Sequence, residues 1–406
     1  MKINPFRLLC ITGLFAIFSS TISKSPVLPF FASHLGAAPS GVGVIAAVSA
    51  LTGIIVSIPA GMFSDRFGRK KMLIFAAIIF ATAPFLYLLV TQLWQLAVIR
   101  FYHGFATAVF MPVAMALVSD LFHKERGEKL GWFSTSTLAG RFLAPLAGGS
   151  IIGAIVFNPG LSYRLVYLVC GAAGLIVLVL AFRIKESFSL SGERSGPSSS
   201  RPLKGGAKRG WKETLDGFRD ILSSRRILIT SIVEAAILFA YGTFETFLPL
   251  YALQSGLSAY KIGIFLSIQV ITLALTKPLM GRFSDRHGRK PQILAGALTG
   301  AFCIGSFGLF RSFIPLLALS ILFGLSLSVV TAATSAFIAD LSRKETHGSA
   351  MGVLGSIMDI GHTTGPLVSG IIAGYFGFEK AFIFSSALLG AIAVLFFIGV
   401  MRDRQS

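Results

Sequence analysis

Charged residues are scarce in this chain. Only 13% of its 406 residues are charged, whereas 54% are hydrophobic and the mean hydropathy is +0.78. Because a soluble domain carries about 25% charged residues, this deficit argues against an ordinary soluble protein. The composition indicates a protein that lies mostly within a membrane.

Acidic residues and cysteines are also few. The 17 acidic residues are outnumbered by 36 lysines and arginines, which gives a formal charge of +19. This excess lies mostly in short segments between apolar runs and in one polar linker, so we expect no nucleic-acid partner. Cys10, Cys170 and Cys303 each lie inside an apolar run, where no disulfide framework or metal-ligand spacing follows from them. No phosphate-binding loop or nucleophile–base set is visible either, so we expect no enzyme, no cofactor and no metal.

What the chain does contain is an internal repeat. Residues 61–70, GMFSDRFGRK, return 220 residues later at 281–290 as GRFSDRHGRK. We call these segments the decapeptides. The same spacing relates Pro29 to Pro249 and other residues along the chain. Since self-similarity at a fixed spacing marks repeated structural units, the sequence predicts two copies of one membrane unit, running in the same direction.

Twelve apolar runs are each near the length that spans a bilayer, about 20 residues. They cover residues 8–31, 41–62, 72–91, 94–119, 130–157, 163–183, 227–251, 259–280, 291–310, 314–339, 348–374 and 379–400. The fold prediction is an all-α membrane protein of twelve transmembrane helices in two six-helix bundles, residues 1–183 and 227–406. We interpret the first run as an uncleaved helix, because it is longer than the apolar part of a signal peptide and no clear cleavage site follows it.

Residues 184–226 form the predicted cytoplasmic linker. Their first part is rich in serine and glycine, which is flexible-linker composition. Residues 211–222 alternate apolar and charged residues, a pattern that suits an amphipathic helix at the membrane surface. A solvated loop without a regulatory role is the alternative.

The placement of cations predicts the orientation. Lysines and arginines concentrate in the decapeptides and in two further loops, and these include Lys124, Arg343 and Lys344. The loops at the other ends of the helices hold only isolated cations. By the positive-inside rule, both termini and the linker are predicted to be cytoplasmic. We expect a multi-pass protein of a bacterial cytoplasmic (inner) membrane.

The decapeptides resemble the loop signature G-x-x-x-D-R-x-G-R-[KR] of the major facilitator superfamily. In that family the loop latches the two halves together, so the resemblance implies a gating latch. Its predicted members are Gly61, Asp65, Arg66, Gly68, Arg69, Gly281, Asp285, Arg286, Gly288 and Arg289.

The chemistry of the decapeptides can also be read directly from their residues. Gly61 and Gly281 would let a neighbouring helix approach closely, while Gly68 and Gly288 would allow a sharp turn. We expect the aspartates to accept hydrogen bonds from the backbone or from an arginine at a helix end, where a carboxylate is favoured near the positive terminus.

A second signature lies in the fifth apolar run. Its glycines and Pro145 fit G-x8-G-x3-G-P-x2-G-G, which is associated with drug–proton antiporters of the same superfamily, and the second half repeats most of the spacing around Pro366. Ala144 replaces one glycine and Arg141 follows another, and both departures argue against export of hydrophobic cations. Arg100 is similar to a buried arginine that the family links to proton coupling.

Ionisable residues inside the apolar runs are the candidate pathway residues. Each costs roughly 2.5–3.5 kcal/mol on insertion scales, so it needs a partner, a wet cavity or a function. The first half supplies cations, and the second supplies acids and an imidazole. With a tyrosine between the two glutamates, the predicted substrate and proton pathway comprises Lys24, Arg100, Arg141, Glu234, Tyr241, Glu245, Asp359 and His362.

Helical geometry gives finer expectations for these residues. Glu234 and Glu245 are eleven residues apart, about three turns, so they share one helix face. A polar stripe of Gln269, Thr272 and Thr276 should line the same central cavity.

Two pairings follow from the repeat and from charge. Lys24 falls within one position of the repeat equivalent of Glu245, so the two can meet as a coupling pair or as a static ion pair. Arg141 should meet a negative ligand group or an acid such as Asp359. We expect Glu245 to carry the coupling proton, with Glu234 as the rival.

These residues support two transport hypotheses. The first is proton-coupled export of a small organic solute by a secondary transporter, and the second is uptake or exchange of an organic anion through a cationic cavity. A membrane sensor or scaffold without transport is the third possibility. The expected partners are a small-molecule substrate, protons and membrane lipids, and the expected state is a monomer.

Overall fold

A computed structural model describes residues 4–122, 125–184, 224–341 and 347–402 of this chain. Nearly all of the predicted linker, its amphipathic helix at 211–222, and Lys124, Arg343 and Lys344 lie outside the described residues. The described part is built from long helices and contains no strand. Its α-helices are α1 (Pro5–Ile22), α2 (Val27–His34), α3 (Pro39–Phe67), α4 (Arg69–Leu86), α5 (Leu93–Leu121), α6 (Arg126–Ala154), α7 (Pro159–Arg183), α8 (Arg225–Gln254), α9 (Ala259–His287), α10 (Arg289–Ser306), α11 (Phe313–Leu341), α12 (His347–Phe376) and α13 (Phe378–Phe396).

Ten helical stretches of the described part are long and apolar enough to cross a membrane. The chain is therefore an integral, multi-pass membrane protein. Two further helices of spanning length, α6 and α12, are not among the ten. In α6 the reason is its polar content, which includes a basic and acidic first turn and Arg141 in its middle.

The first apolar run forms one stretch of membrane-spanning length, Pro5–His34, as predicted, but it is not the continuous helix that we expected. It divides into α1 and α2, and residues 23–26 form a turn that contains Lys24. Pro26 explains the break, because a proline has no backbone N–H to donate and disfavours helical geometry at the residue before it. The break places Lys24 where two helix ends meet.

The helices repeat as the sequence does. The bounds of α3 and α9, of α4 and α10, and of α5 and α11 are each related by the 220-residue spacing of the decapeptides. Packing repeats as well: α1 packs on α6, α3 on α5 and α4 on α7, while α8 packs on α12, α9 on α11 and α10 on α13. Two large contacts join the halves, α3 with α12 and α6 with α9.

Candidate functional site

Three charged or titratable side chains meet where the two halves face each other. Lys24 Nζ lies 2.7 Å from Glu245 Oε2, and His362 Nε2 lies 3.1 Å from the same oxygen. Lys24 comes from the break between α1 and α2, Glu245 from α8 and His362 from α12. The contact that we expected between Lys24 and Glu245 is therefore present, and it joins the first half to the second. We call these three residues the bridging triad.

A cavity of about 280 Å³ surrounds the bridging triad. Tyr241 and Asp359 line it, together with Arg100 and Arg141 from the first half. The Tyr241 ring stacks on His362 at 5.4 Å between ring centroids. We call this space the central cavity. It brings seven of the eight predicted pathway residues together.

Arg100 extends from the central cavity into the packed interior of the first half. Its side chain is buried, and one guanidinium nitrogen lies 3.3 Å from Ser23 Oγ and 3.5 Å from the Tyr87 hydroxyl. His103, one turn further along α5, lies 3.4 Å from the same hydroxyl. These polar contacts hold the arginine in place, although no carboxylate of the described residues pairs with it.

A second, larger cavity of about 1060 Å³ lies between α6, α9 and α11. Ser134, Thr137 and Arg141 line it from one face of α6, as their spacing predicts. Lys277 of α9 lines it from the opposite wall. We call this space the side cavity. Arg141 lines both cavities and is exposed within them, so it connects one with the other.

The two halves seal against each other at the end opposite the decapeptides. Gly43 of α3 lies against the backbone of α12, where an added Cβ would overlap the Pro366 carbonyl oxygen. Gly263 of α9 meets α6 in the same way at the Pro145 carbonyl oxygen. Glycines permit such close backbone approach between membrane helices. These two contacts, related by the repeat, hold the two halves close together at this end.

Glu234 does not line either cavity. Its side chain is fully buried, and one carboxylate oxygen accepts a hydrogen bond from Thr334 of α11. Our expectation that Glu234 and Glu245 face one cavity is therefore wrong. The helix face is shared, but Glu245 meets the first half while Glu234 meets a helix of its own half.

The predicted polar stripe of α9 is also misplaced. Gln269 is buried, and Thr272 and Thr276 donate hydrogen bonds to carbonyl oxygens one turn back in the same helix. Neither cavity is lined by them. Threonine can satisfy its hydroxyl within its own helix, so it needs no water-filled cavity.

Each decapeptide forms a compact ionic cluster. Arg69 lies 2.5 Å from Asp65 and 3.0 Å from Asp120, which ties together the ends of α3, α4 and α5. In the second half Arg289 lies 3.0 Å from Asp285 and also pairs with Asp340. Arg66 and Arg286 are exposed and make no ion pair with the described residues.

The turn between the helices depends on glycine, as predicted. Gly68 has φ +97° and Gly288 has φ +90°, in the left-handed region that favours glycine. Asp65, however, lies in the last turn of α3, at the negative rather than the positive end of that helix. The expected arginine partner is present, since Arg69 pairs with Asp65, but our expectation of the positive end of a helix was wrong. Arg69 compensates for the unfavourable position.

Gly61 and Gly281 do not make the close contact that we expected. Nothing lies within 4 Å of a Cβ built at either position. The physical reason is their place in the molecule, since the tight contacts between the halves lie at Gly43 and Gly263, toward the other end.

Neutralising Asp65 tests the cluster. Asp65→Asn removes one of the two carboxylates that fix Arg69, so transport should fall severalfold. Stability should change by less than about 1 kcal/mol, because Asp65 is exposed. Transport and thermal unfolding of purified protein measure the two effects. Asp285→Asn is the matched variant, and Glu125→Gln, at an exposed acid outside the decapeptides, is the control. If folded protein and transport fall equally, the role of Asp65 is structural.

Two features of the site were missed in the sequence. Lys277 was not among the predicted pathway residues, but it lines the side cavity. It directly follows a row of apolar and threonine residues, 270–276, and that position gave no sign of a cavity. Tyr87, which holds Arg100, lies in an unremarkable apolar stretch. Arginine demands hydrogen-bond acceptors wherever it is buried, but the sequence does not say which residues provide them.

A bundle of repeated membrane helices that encloses a charged cavity, closed at one end, defines the class of membrane transport proteins. The family model described as Major Facilitator Superfamily matches residues 9–268 and 256–406, nearly the whole chain. The chain belongs to this superfamily, so it is a transporter and not an enzyme.

Relatives and solved structures agree with this assignment. The chain is 23% identical to an uncharacterised MFS-type transporter of Methanocaldococcus jannaschii, over 93% of this chain and 94% of that one. It is 24% identical to multidrug resistance protein 2 of Bacillus subtilis, over 90% and 88%. A bacterial homologue of the human lysosomal transporter Spinster, in an inward-facing and unoccupied conformation, matches with a TM-score of 0.83 at 17% identity, over 100% and 99%. The resemblance to the drug/proton antiporter type is thereby confirmed.

Proposed function

We propose that this protein exports a small organic solute in exchange for protons by alternating access. In this proposal its twelve transmembrane helices form two six-helix bundles, residues 1–183 and 227–406, joined by a cytoplasmic linker. The observation that supports it most is the bridging triad, because Lys24 of one half and Glu245 and His362 of the other meet inside the central cavity.

Alternating access needs one gate on each side of a fixed site. In the described conformation the seals at Gly43 and Gly263 close one end. Toward the decapeptide end the side cavity reaches Glu128, in the first turn of α6. We propose that the halves rock about the bridging triad and that the decapeptides latch the open end when it closes. Gly61 and Gly281 would then make their close contacts only in that second conformation.

Proton coupling follows from two opposing effects on Glu245. Burial in a membrane protein disfavours a carboxylate charge, while the Lys24 ammonium at 2.7 Å favours it. Because Lys24 and Glu245 belong to different halves, their distance can change when the halves move. A proton can bind Glu245 when Lys24 moves away or when substrate displaces it, and it is released when the pair forms again.

A second candidate function is uptake or exchange of an organic anion. Arg141 and Lys277 both line the side cavity, and neither makes a hydrogen bond or ion pair with the described residues. Two such cations favour a negative substrate. These cations indicate the charge of the substrate but not the direction of transport, which an experiment must determine.

Transport in proteoliposomes distinguishes these functions. A thermal-shift screen of purified protein against metabolites and drugs supplies a ligand, which is then loaded into vesicles of defined internal pH. An antiporter should move the ligand against its own gradient when protons flow in the opposite direction. A flux that ignores the proton gradient but responds to ligand on the other side would indicate exchange instead.

Cysteine labelling tests the proposed orientation in a bacterial inner membrane, with cytoplasmic termini and linker. In a background without native cysteines, a membrane-impermeant maleimide added to intact cells should label a cysteine at Ala37, in the turn between α2 and α3. It should not label one at Ser198, within the linker sequence. The reverse pattern would contradict the orientation.

A further inference from the structure

The side cavity combines a large apolar wall with two cations. Its apolar lining includes Trp132 and Leu138 of α6, Leu273 and Pro278 of α9, and Ala332 and Ala336 of α11. Its volume of about 1060 Å³ lies just above the range for small-molecule pockets, about 300–1,000 Å³. This space is far larger than a small hydrophilic ion needs.

The cations of the side cavity lack counter-ions. Arg141 and Lys277 are both exposed in it and make no ion pair with any described residue. Glu234 lines neither cavity and forms no ion pair with Lys277, and its buried carboxylate accepts a hydrogen bond from Thr334. Glu128 lines the cavity from the first turn of α6, several turns from Arg141. Two like charges in one membrane cavity repel each other unless an anion lies between them.

Arg141 also fixes the direction in which a ligand would lie. It is the residue that the side cavity shares with the central cavity. A negative group held there would lie next to the bridging triad, while an attached apolar chain would follow the wall toward Trp132. The central cavity alone, with about 280 Å³, has no room for such a chain.

We propose that the substrate is an amphipathic anion, with its acidic head between Arg141 and Lys277 and its apolar chain against Trp132 in the side cavity. This inference rests on the proposed transport function and names the class of its substrate. The class excludes hydrophobic cations, which two unpaired cations would repel, and small anions without an apolar part, which would leave the wall unfilled.

Quenching of Trp132 fluorescence tests the position of the chain. The variant Trp94→Phe, Trp211→Phe leaves Trp132 as the single tryptophan, and the protein is placed in nanodiscs without any ion gradient. Dibromostearate, an acid whose bromine atoms quench nearby indoles, should quench Trp132 with a saturable dependence on concentration. The matched variant Trp132→Phe, Trp211→Phe reports on Trp94, which lies at the start of α5 outside both cavities. It should show only the unsaturable quenching of an acid dissolved in the bilayer.

Charge is tested with a second probe and three variants. A dibrominated alkyl trimethylammonium of the same length should give no saturable quenching of Trp132. Arg141→Gln and Lys277→Gln should each raise the half-saturating dibromostearate concentration about tenfold or more, as loss of a hydrogen bond to a charged group does. Arg141→Lys should raise it less. Thermal unfolding confirms that each variant is folded.

The outcomes separate this inference from the proposed function. Equal saturable quenching by the cationic probe, or none by dibromostearate, would overturn the amphipathic anion even if proton-driven transport of another solute is found. Saturable quenching that both glutamine variants leave unchanged would overturn the roles of Arg141 and Lys277. Saturable quenching that depends on both cations would uphold the inference, even if no proton-coupled flux is measured.

Discussion

Glu245→Gln should abolish proton-driven accumulation of substrate and leave exchange without a gradient largely intact. Glu245 is the acid of the bridging triad, and Lys24 and His362 both contact its Oε2. A glutamine keeps the size of the side chain but cannot take up or release a proton. Binding and movement of substrate can therefore continue, while their link to protons is lost.

A double variant separates coupling from stability. Removing one charge of a buried pair leaves the other uncompensated, which costs about 3–5 kcal/mol where the pair is fully buried. Here Lys24 is 25% exposed, so the cost should be smaller. Lys24→Gln combined with Glu245→Gln removes both charges. It should regain the stability of the parent protein and remain uncoupled.

Glu234→Gln is the matched control for the same chemistry on the same helix. Like Glu245, Glu234 lies in the membrane part of the protein, where it is buried. Unlike Glu245, it lines neither cavity, and it accepts a hydrogen bond from Thr334. We expect this variant to keep proton-driven transport. If Glu245→Gln still concentrates substrate while Glu234→Gln does not, the assignment of the coupling proton to Glu245 is wrong.

The sequence predicts most helices and the meeting of Lys24 with Glu245, because both follow from strong and repeated signals. Apolar length determines where a helix can cross a membrane, and the internal repeat relates positions in the two halves. The contact of Lys24 with Glu245 needed only that equivalence and opposite charges. The break at Pro26 could have been seen, since the proline signal is local and physical.

Other parts of the site could not be predicted because periodicity identifies a face but not its neighbour. Glu234 and Glu245 share a face and still meet different helices. The hydroxyls of Thr272 and Thr276 are satisfied within α9, so their spacing carried no information about water. Gly61 was expected at a close contact, whereas the structure has such a contact at Gly43 of the same helix. Which glycines touch depends on which end of the pathway is closed, and a sequence does not specify one conformation.

The second large expected effect concerns the close contacts at Gly43 and Gly263. Gly263→Ala should open the end of the molecule opposite the decapeptides. In the described conformation a Cβ at Gly263 would overlap the Pro145 carbonyl oxygen and lie 3.2 Å from Gly149 Cα. Backbone of a neighbouring helix cannot move aside as a flexible side chain can. Overpacking of this kind costs roughly 1–3 kcal/mol, and the cost applies only to the conformation in which α6 and α9 touch here.

This cost therefore shifts the equilibrium between the two conformations away from the described one. A difference of about 1.4 kcal/mol changes a population ratio tenfold. Because Gly43 makes the equivalent contact with Pro366, Gly43→Ala should act in the same direction and the double variant should add to it. Pulsed electron paramagnetic resonance measures this opening as the distance between two spin labels. One label is placed at Phe157, after α6, and the other at Lys261, in the first turn of α9. The labels should report a longer distance in a larger fraction of molecules.

Gly281→Ala and Gly53→Ala are the matched controls. They add the same methyl group to α9 and α3, at positions where nothing lies within 4 Å. Gly53→Ala should leave the distance between the labels unchanged. Gly281→Ala should not lengthen it, because an added methyl group there hinders only the conformation in which the decapeptide end closes. If Gly263→Ala lowers thermal stability without lengthening the distance, the contact is ordinary packing. A shift in both glycine variants and in neither control would mean that backbone contact at Gly43 and Gly263 holds this end of the transporter closed.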